Sequence, residues 1–329
     1  MGTFYINVSA GGDGRVPVGV AGSVMVGVQR LLADIGRHSV AKALMLQGDV
    51  PPELLSRFTL YVDGSPSSVS SSADMRFDGG SNMLREALDE IVSLIDCVSG
   101  GSAEGVLERY PDPRYRVPIL EDLLFLSDSL GDLHLNCSMD GRESSLSAEA
   151  AAYVAGLLDD RCGSFLGCVF GILRECDGGV YLETDNGDVP LMCGAAGGPP
   201  GMPCAVSGRI SLYSDGTVEK MTDICGLDEL SSLSFGRAVS SDSDLVLGGP
   251  LAADVGYDDE HGLWTLSNEP LGISLSKEDL DDAILEFHDH FMFMWEVYDK
   301  SSEDGDPEED FAEDELRLRN YILSIAKDR

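Results

Sequence analysis

The sequence predicts an α+β protein of several domains: an N-terminal α+β unit, a central small β-barrel or rolled sheet, and a C-terminal strand-strand-helix unit. Three observations predict it. Apolar residues recur at helical spacing through much of the first 160 residues, short alternating runs separated by hairpin turns fill the middle, and a long one-faced helix follows a strand pair near the end. The expected domains are 1–160, 161–240 and 241–329, a division in keeping with a chain of 329 residues.

In the first domain residues 4–8 read as a strand. Pro17 suits the first turn of a helix in which Val20, Val24, Val28, Leu31 and Ile35 share a face. A hairpin is expected from 58–62 and 68–77 around Asp63-Gly64-Ser65-Pro66, whose residue types favour chain reversal. Ser81 or Asn82 can cap a helix striped by Leu84, Leu88, Ile91, Ile95 and Val98, and Gly100-Gly101 ends it. A third helix is expected over 117–130, a strand over 133–137, and an alanine-rich fourth helix over 146–158.

Beyond residue 165 the period becomes that of short strands, expected at 165–173, 180–184, 189–193, 205–213 and 218–224. Asp185-Asn186-Gly187-Asp188 and Ser214-Asp215-Gly216 mark hairpins, because Asn and Gly tolerate the positive φ of tight turns. Five such strands predict a small barrel or rolled sheet with 194–203 as a rim loop, and the small polar residues of 231–243 read as a connection. In the last domain, strands are expected at 245–247, 252–256 and 263–267, with a turn at 258–262. In the following helix Leu280, Ile284, Phe287, Phe291, Met294, Trp295 and Tyr298 share one face. Between 299 and 315 ten carboxylates face Lys300 alone, which reads as a mobile linker before a last helix over 313–326.

The chain has 58 acidic and 22 basic side chains, a net charge of −36, yet 43% of it is hydrophobic, enough to fold. With five lysines, it lacks the clustered cations that displace counterions from phosphate, so direct nucleic-acid binding is not expected. No basic stretch precedes the apolar run 16–28, which at 13 residues is short for a bilayer. The expectation is therefore no membrane association, a cytoplasmic location, and eight cysteines that are reduced and mostly buried.

The chemical motifs are negative. Gly12-Asp13-Gly14-Arg15-Val16-Pro17 lies where a dinucleotide fingerprint would sit, but Pro17 replaces the third glycine and Asp13 would face a pyrophosphate. Phosphate-loop and nucleophile-elbow patterns are absent from the sequence. Glu286, His288, Asp289 and His290 resemble a metal site in composition, but on a helix the two imidazoles flank opposite edges of the apolar face and read as boundary residues. No cysteine pair has CxxC spacing, and aligning an EF-hand glycine on Gly305 puts Lys300 and Phe311 where carboxylates are needed. No catalytic residue, metal or cofactor is expected.

Residues 254–300 run strand, acidic glycine turn (Asp258-Asp259-Glu260-His261-Gly262), strand with Trp264, Leu271-Gly272-Ile273, then a helix opened by Ser276-Lys277-Glu278-Asp279 with Asp282-Ala283 inside. This segment resembles the HicB-type antitoxin core, which places a short strand pair before an LG step and a helix with an acidic-Ala dipeptide. The resemblance covers 47 of 329 residues and implies protein binding rather than catalysis. No basic DNA-binding module follows the helix, so an operator-binding role does not carry over.

The expected function is thus a non-enzymatic binding or regulatory protein, antitoxin-like, whose acidic surface engages a basic protein partner such as a nuclease. Two alternatives stand beside it: an enzyme with a site built from distant residues near 194–203, and an acidic protein adapted to a salty cytoplasm whose charge has no partner. A map of surface charge separates the first reading from the last: acid concentrated on one face favours a partner, and acid spread evenly favours salt adaptation. The partner-binding residues expected are Leu285, Met292 and Phe293, a second apolar set away from the core stripe and interrupted by Asp289 and Glu296. That set is either a binding face with an acidic rim or the contact of a helix sandwiched between its own sheet and a neighbouring domain.

Overall fold

The computed structural model describes residues 4–10, 16–60, 75–77, 81–158, 163–176, 179–192, 198–303 and 313–326. Helices and antiparallel sheets are mixed as the sequence predicts, and they form two compact units, residues 1–39 with 51–163 and residues 40–50 with 164–329. Residues 164–329 all belong to the second of these units.

The first unit contains β1 (Phe4–Ala10), α1 (Val18–Leu44, through Ser39), α2 (Pro52–Leu55), β2 (Met75–Phe77), α3 (Asn82–Ser99), α4 (Ala103–Arg109), α5 (Pro113–Leu130), β3 (Leu133–Met139), β4 (Arg142–Ser147) and α6 (Ala150–Leu158). Its antiparallel sheet has the order β2-β1-β3-β4. Strand alternation puts Phe4, Ile6, Val8, Leu135, Cys137, Met139 and Leu146 in the core. Ser81 caps α3 as expected, its Oγ accepting from Leu84 N–H at 3.2 Å, and Leu88, Ile91, Ile95 and Val98 are buried. Among the described residues α1 is the one helix long and apolar enough to cross a membrane by length and composition alone. Its Val24, Val28, Leu31, Leu32 and Ile35 are buried in this unit. Gly27 lets α1 approach α5, since a Cβ there would lie 2.6 Å from Leu126 Cδ2.

Two expectations fail here for local reasons. Phe58 is buried in a 3-10 turn, Ser56–Phe58, rather than in a strand; the reversal at 63–66 lies outside the described residues, and β2 pairs with β1. Leu146 belongs to β4, not to a helix. Asp140 and Gly141 both have positive φ and make a two-residue hairpin between Met139 and Arg142, so the helix begins only at Ala150.

The second unit opens with β5 (Phe165–Cys176), β6 (Gly179–Thr184), β7 (Gly187–Pro190), β8 (Pro203–Leu212) and β9 (Val218–Glu229), in the sheet order β7-β6-β5-β8-β9. Among the described residues no closed barrel forms. The sheet rolls until its edge strands meet through one parallel bridge, Leu191 to Met221, beside Met192 N–H donating to the Met221 carbonyl at 2.8 Å. Phe165, Val169, Leu173, Leu182, Val189, Val206, Ile210 and Met221 fill the interior. The roll is set at Gly171, where β5 changes partner: residues 165–172 pair with β8 and 172–176 with β6. A Cβ at Gly171 would lie 2.4 Å from the Glu183 carbonyl oxygen, so only glycine permits the crossing.

The unit continues with an antiparallel sheet of β10 (Ser232–Val239), β11 (Asp244–Asp258), β12 (Leu263–Asn268) and β13 (Ile273–Lys277), then α7 (Leu280–Glu303) and α8 (Glu313–Ala326). The supposed connection 231–243 is therefore mostly a strand, and 245–247 and 252–256 are parts of one strand whose pairing shifts opposite Gly236. β13 intervenes between the Leu271-Gly272 step and α7, where the sequence suggested a helix directly. Leu233, Phe235, Leu251, Ala253, Trp264, Leu266, Ile273 and Leu275 are buried on one face of this sheet, and α7 packs on β10, β12 and β13. The N-terminus of α7 is tied down by two carboxylates. Asp185 accepts from Leu280 N–H at 3.0 Å, and Asp281 accepts from Gly48 N–H at 2.7 Å and from Gln47 N–H at 3.0 Å.

Candidate protein-binding surface

Charge is unequally divided between the units. The first has 22 acidic residues against 11 basic, a net of −11, and the second has 36 against 11, a net of −25. Within the second, residues 240–316 hold 24 acidic residues against Lys277 and Lys300, so −22 of the −36 resides in 77 residues. Much of it faces solvent. Asp242, Asp254, Glu269, Glu278, Asp282 and Asp289 are exposed and form no salt bridge among the described residues. Burial, together with Glu286 and Asp242 nearby, raises the Asp289 carboxyl above its usual range although His290 pulls it down. Other acids of this region are engaged: Asp258 with His261 at 2.7 Å, Asp259 with Arg174 at 2.7 Å, and Glu286 with Lys277.

The three expected partner-binding residues part company on α7. Phe293 is 68% exposed, Leu285 is half-buried, and Met292 is 2% exposed, so Met292 is core and is removed from any binding face. The buried face of α7 is Leu280, Ala283, Ile284, Phe287, His288, Phe291 and Met292, while Met294, Trp295 and Tyr298 are only half-buried. It is rotated from the expected stripe because α7 is covered by α8 as well as by its sheet. Val297, one turn beyond Phe293, is 48% exposed, so the two make an apolar ridge next to Asp289 and His290. Val297 was missed by sequence reasoning, although its spacing from Phe293 could have found it.

His288 is not a boundary residue. It is fully buried, its ring stands edge-on to Phe235 at 4.5 Å, and neither ring nitrogen has a hydrogen-bond partner. Burial pushes its pKa down to about 3. His290 is exposed, and among the described residues no group of three or more His, Cys, Asp or Glu is disposed to hold a metal ion. The described cysteines are free thiols, but only Cys137 and Cys204 are buried and Cys97 half-buried; Cys168, Cys176 and Cys225 are exposed, contrary to the expectation of mostly buried thiols. Burial raises Cys137 to about 12 and Cys204 to about 11, so neither is a thiolate at neutral pH.

The first unit offers two polar features. The solvent face of its sheet has a shallow hollow of about 290 Å³ lined by Tyr5, Asn7, Asn136, Ser138, Glu143 and neighbouring serines. Between α1 and α5, Asp122, 1% exposed, lies near Asp34 and pairs with Arg30 at 2.7 Å, while Arg37 stands 3.6 Å from Asp34. Burial first, then the neighbouring Asp34, raises Asp122 to about 7. The glycine turn at 12–15, the last residue of the expected strand 189–193, the first part of the rim loop at 194–197 and the acidic run 304–312 lie outside the described residues. Comparison of the chain with protein-family models, with curated proteins and with solved structures finds no match.

Proposed function

We propose that this chain is a non-enzymatic protein-binding module, antitoxin-like, that engages a basic protein partner through the acidic surface of its second unit. The observation that carries this reading is the concentration of −22 within residues 240–316. A solubility adaptation needs acid spread over the whole surface, whereas a charge gathered in one region steers oppositely charged proteins and repels others. The Phe293–Val297 ridge supplies what charge alone lacks, an apolar anchor within an acidic rim. The resemblance of 254–300 to the HicB-type antitoxin core supports a basic nuclease as the partner, and the chain acts in the cytoplasm.

Native co-purification with the full-length chain tests the proposal. Basic proteins should be enriched, released by moderate salt, and retained roughly tenfold less by Phe293→Ser, which should leave the unfolding midpoint nearly unchanged. Retention of proteins without basic bias, insensitive both to salt and to Phe293→Ser, would defeat it.

A further inference from the structure

The rolled sheet has an open flank at its centre. Over residues 165–171, β5 pairs with β8 on one side, and β6 takes the other side only from Ile172 onward, so among the described residues this stretch has one ladder instead of two. Its sequence, Phe165-Leu166-Gly167-Cys168-Val169-Phe170-Gly171, has no charge and no proline, the devices by which proteins guard an open strand edge. Alternation sends Phe165 and Val169 into the core and leaves Leu166 64% exposed, Cys168 exposed and Phe170 half-exposed. An unguarded, apolar, half-paired strand is the template for adding another. It sits in the unit with a net charge of −25, which opposes pairing with a second copy of the same chain and attracts a cationic segment.

We propose that the free edge of β5, residues 165–170, is a strand-addition site that takes an extended segment of the partner in which apolar and basic residues alternate. This rests on the reading of the chain as an acidic protein-binding module and specifies how that module grips its partner. Main-chain hydrogen bonds along the free edge hold the segment. Leu166 and Phe170 receive its apolar side chains, and its positive charge draws it to the acidic unit.

The test uses the full-length protein with two synthetic peptides of equal length and charge, one alternating lysine with valine and one alternating lysine with glycine. The lysine–valine peptide should bind roughly tenfold more tightly, and Leu166→Lys should remove that difference. Bound peptide should also slow amide hydrogen exchange across 165–170, a readout independent of any variant. Equal binding of both peptides, unchanged by Leu166→Lys, would overturn strand addition while leaving charge-driven binding intact. Failure of both peptides to bind at low salt would overturn the acidic-module reading as well. A dimer of the protein alone, dissolved by Leu166→Lys in sedimentation, would show that the edge serves a second copy and would likewise overturn the proposal.

Discussion

Replacing His288 with leucine should stabilise the second unit, and by more in acid than at neutrality. The imidazole is fully buried, and both ring nitrogens lack partners. An unsatisfied buried polar group costs about 1–3 kcal/mol, against which leucine forfeits the edge contact with Phe235, worth about 0.5–1.5 kcal/mol. At pH 7 the variant should therefore equal or exceed the wild type. Acid separates them. The folded-state pKa is about 3 against an ordinary value of 6.5, so between these pH values the unfolded chain binds a proton that the folded one refuses. The neutral imidazole's stability is present above 6.5 and is lost as pH falls toward 3, at up to about 1.4 kcal/mol per pH unit. Between pH 7 and pH 5 the wild type loses about 2 kcal/mol from this source, and His288→Leu loses none of it. Asp185 and Asp281, each raised to about 6 mainly by burial, titrate in the opposite sense but are common to both proteins and cancel in the difference. Both tryptophans, Trp264 and Trp295, lie in the second unit, so urea unfolding followed by tryptophan emission at the two pH values reads this unit alone. A stability difference that is the same at pH 7 and pH 5 would refute the buried neutral histidine.

Two further outcomes follow from buried geometry. In the first unit Asp122, raised to about 7 by burial and by Asp34, contributes stability that is present below the ordinary aspartate range and is lost as pH rises through 7. Calorimetric melts should therefore show the wild type weakening between pH 5.5 and pH 8 more than Asp122→Asn, and parallel pH dependences would contradict the raised Asp122 carboxyl. In the second unit Gly171→Ala sets a methyl 2.4 Å from the Glu183 carbonyl and should cost about 1–3 kcal/mol, whereas a Cβ at Gly236 meets nothing within 4 Å and should change little. Equal urea midpoints for the two alanine variants would show the strand crossing to be looser than described.

The features legible in the sequence are those set by neighbours along the chain. Ser81 and the stripe after it define α3, and the last helix begins at Glu313 as its composition suggested. Asp140-Gly141 is an equally local turn signal, and the hairpin it makes puts Leu146 in β4 ahead of the alanine-rich helix. β10 was hidden by composition: Ser232, Ser234 and Gly236 face outward and look like a linker, and the period-two signal of Leu233 and Phe235 is cut short by the irregularity before Arg237. The errors on α7 are of another kind. His288 is core because Phe235 of β10 lies against its ring, and Met292 is buried on a helix that meets α8 as well as three strands, contacts that the helix's own periodicity does not announce. The acidity of 240–316 was countable from the start, but the open flank of β5 depends on strand order, and no local pattern encodes which strands are neighbours.

On the proposed reading the charge and the open edge explain one another. A six-residue apolar edge without lysine or proline would, on a neutral protein, invite chains to pair edge to edge. On a unit of −25 each copy approaches the next against repulsion that is felt over about 8 Å at physiological ionic strength, longer than the spacing between paired strands. The barrier does not depend on the partner's shape, only on its sign. For a cationic segment the same field becomes an attraction, so charge selects which proteins arrive, and the alternation of Leu166, Cys168 and Phe170 selects which register docks. Selectivity of this kind needs no catalytic group and no preformed pocket, and it requires that acid and edge lie on the same unit, as they do here.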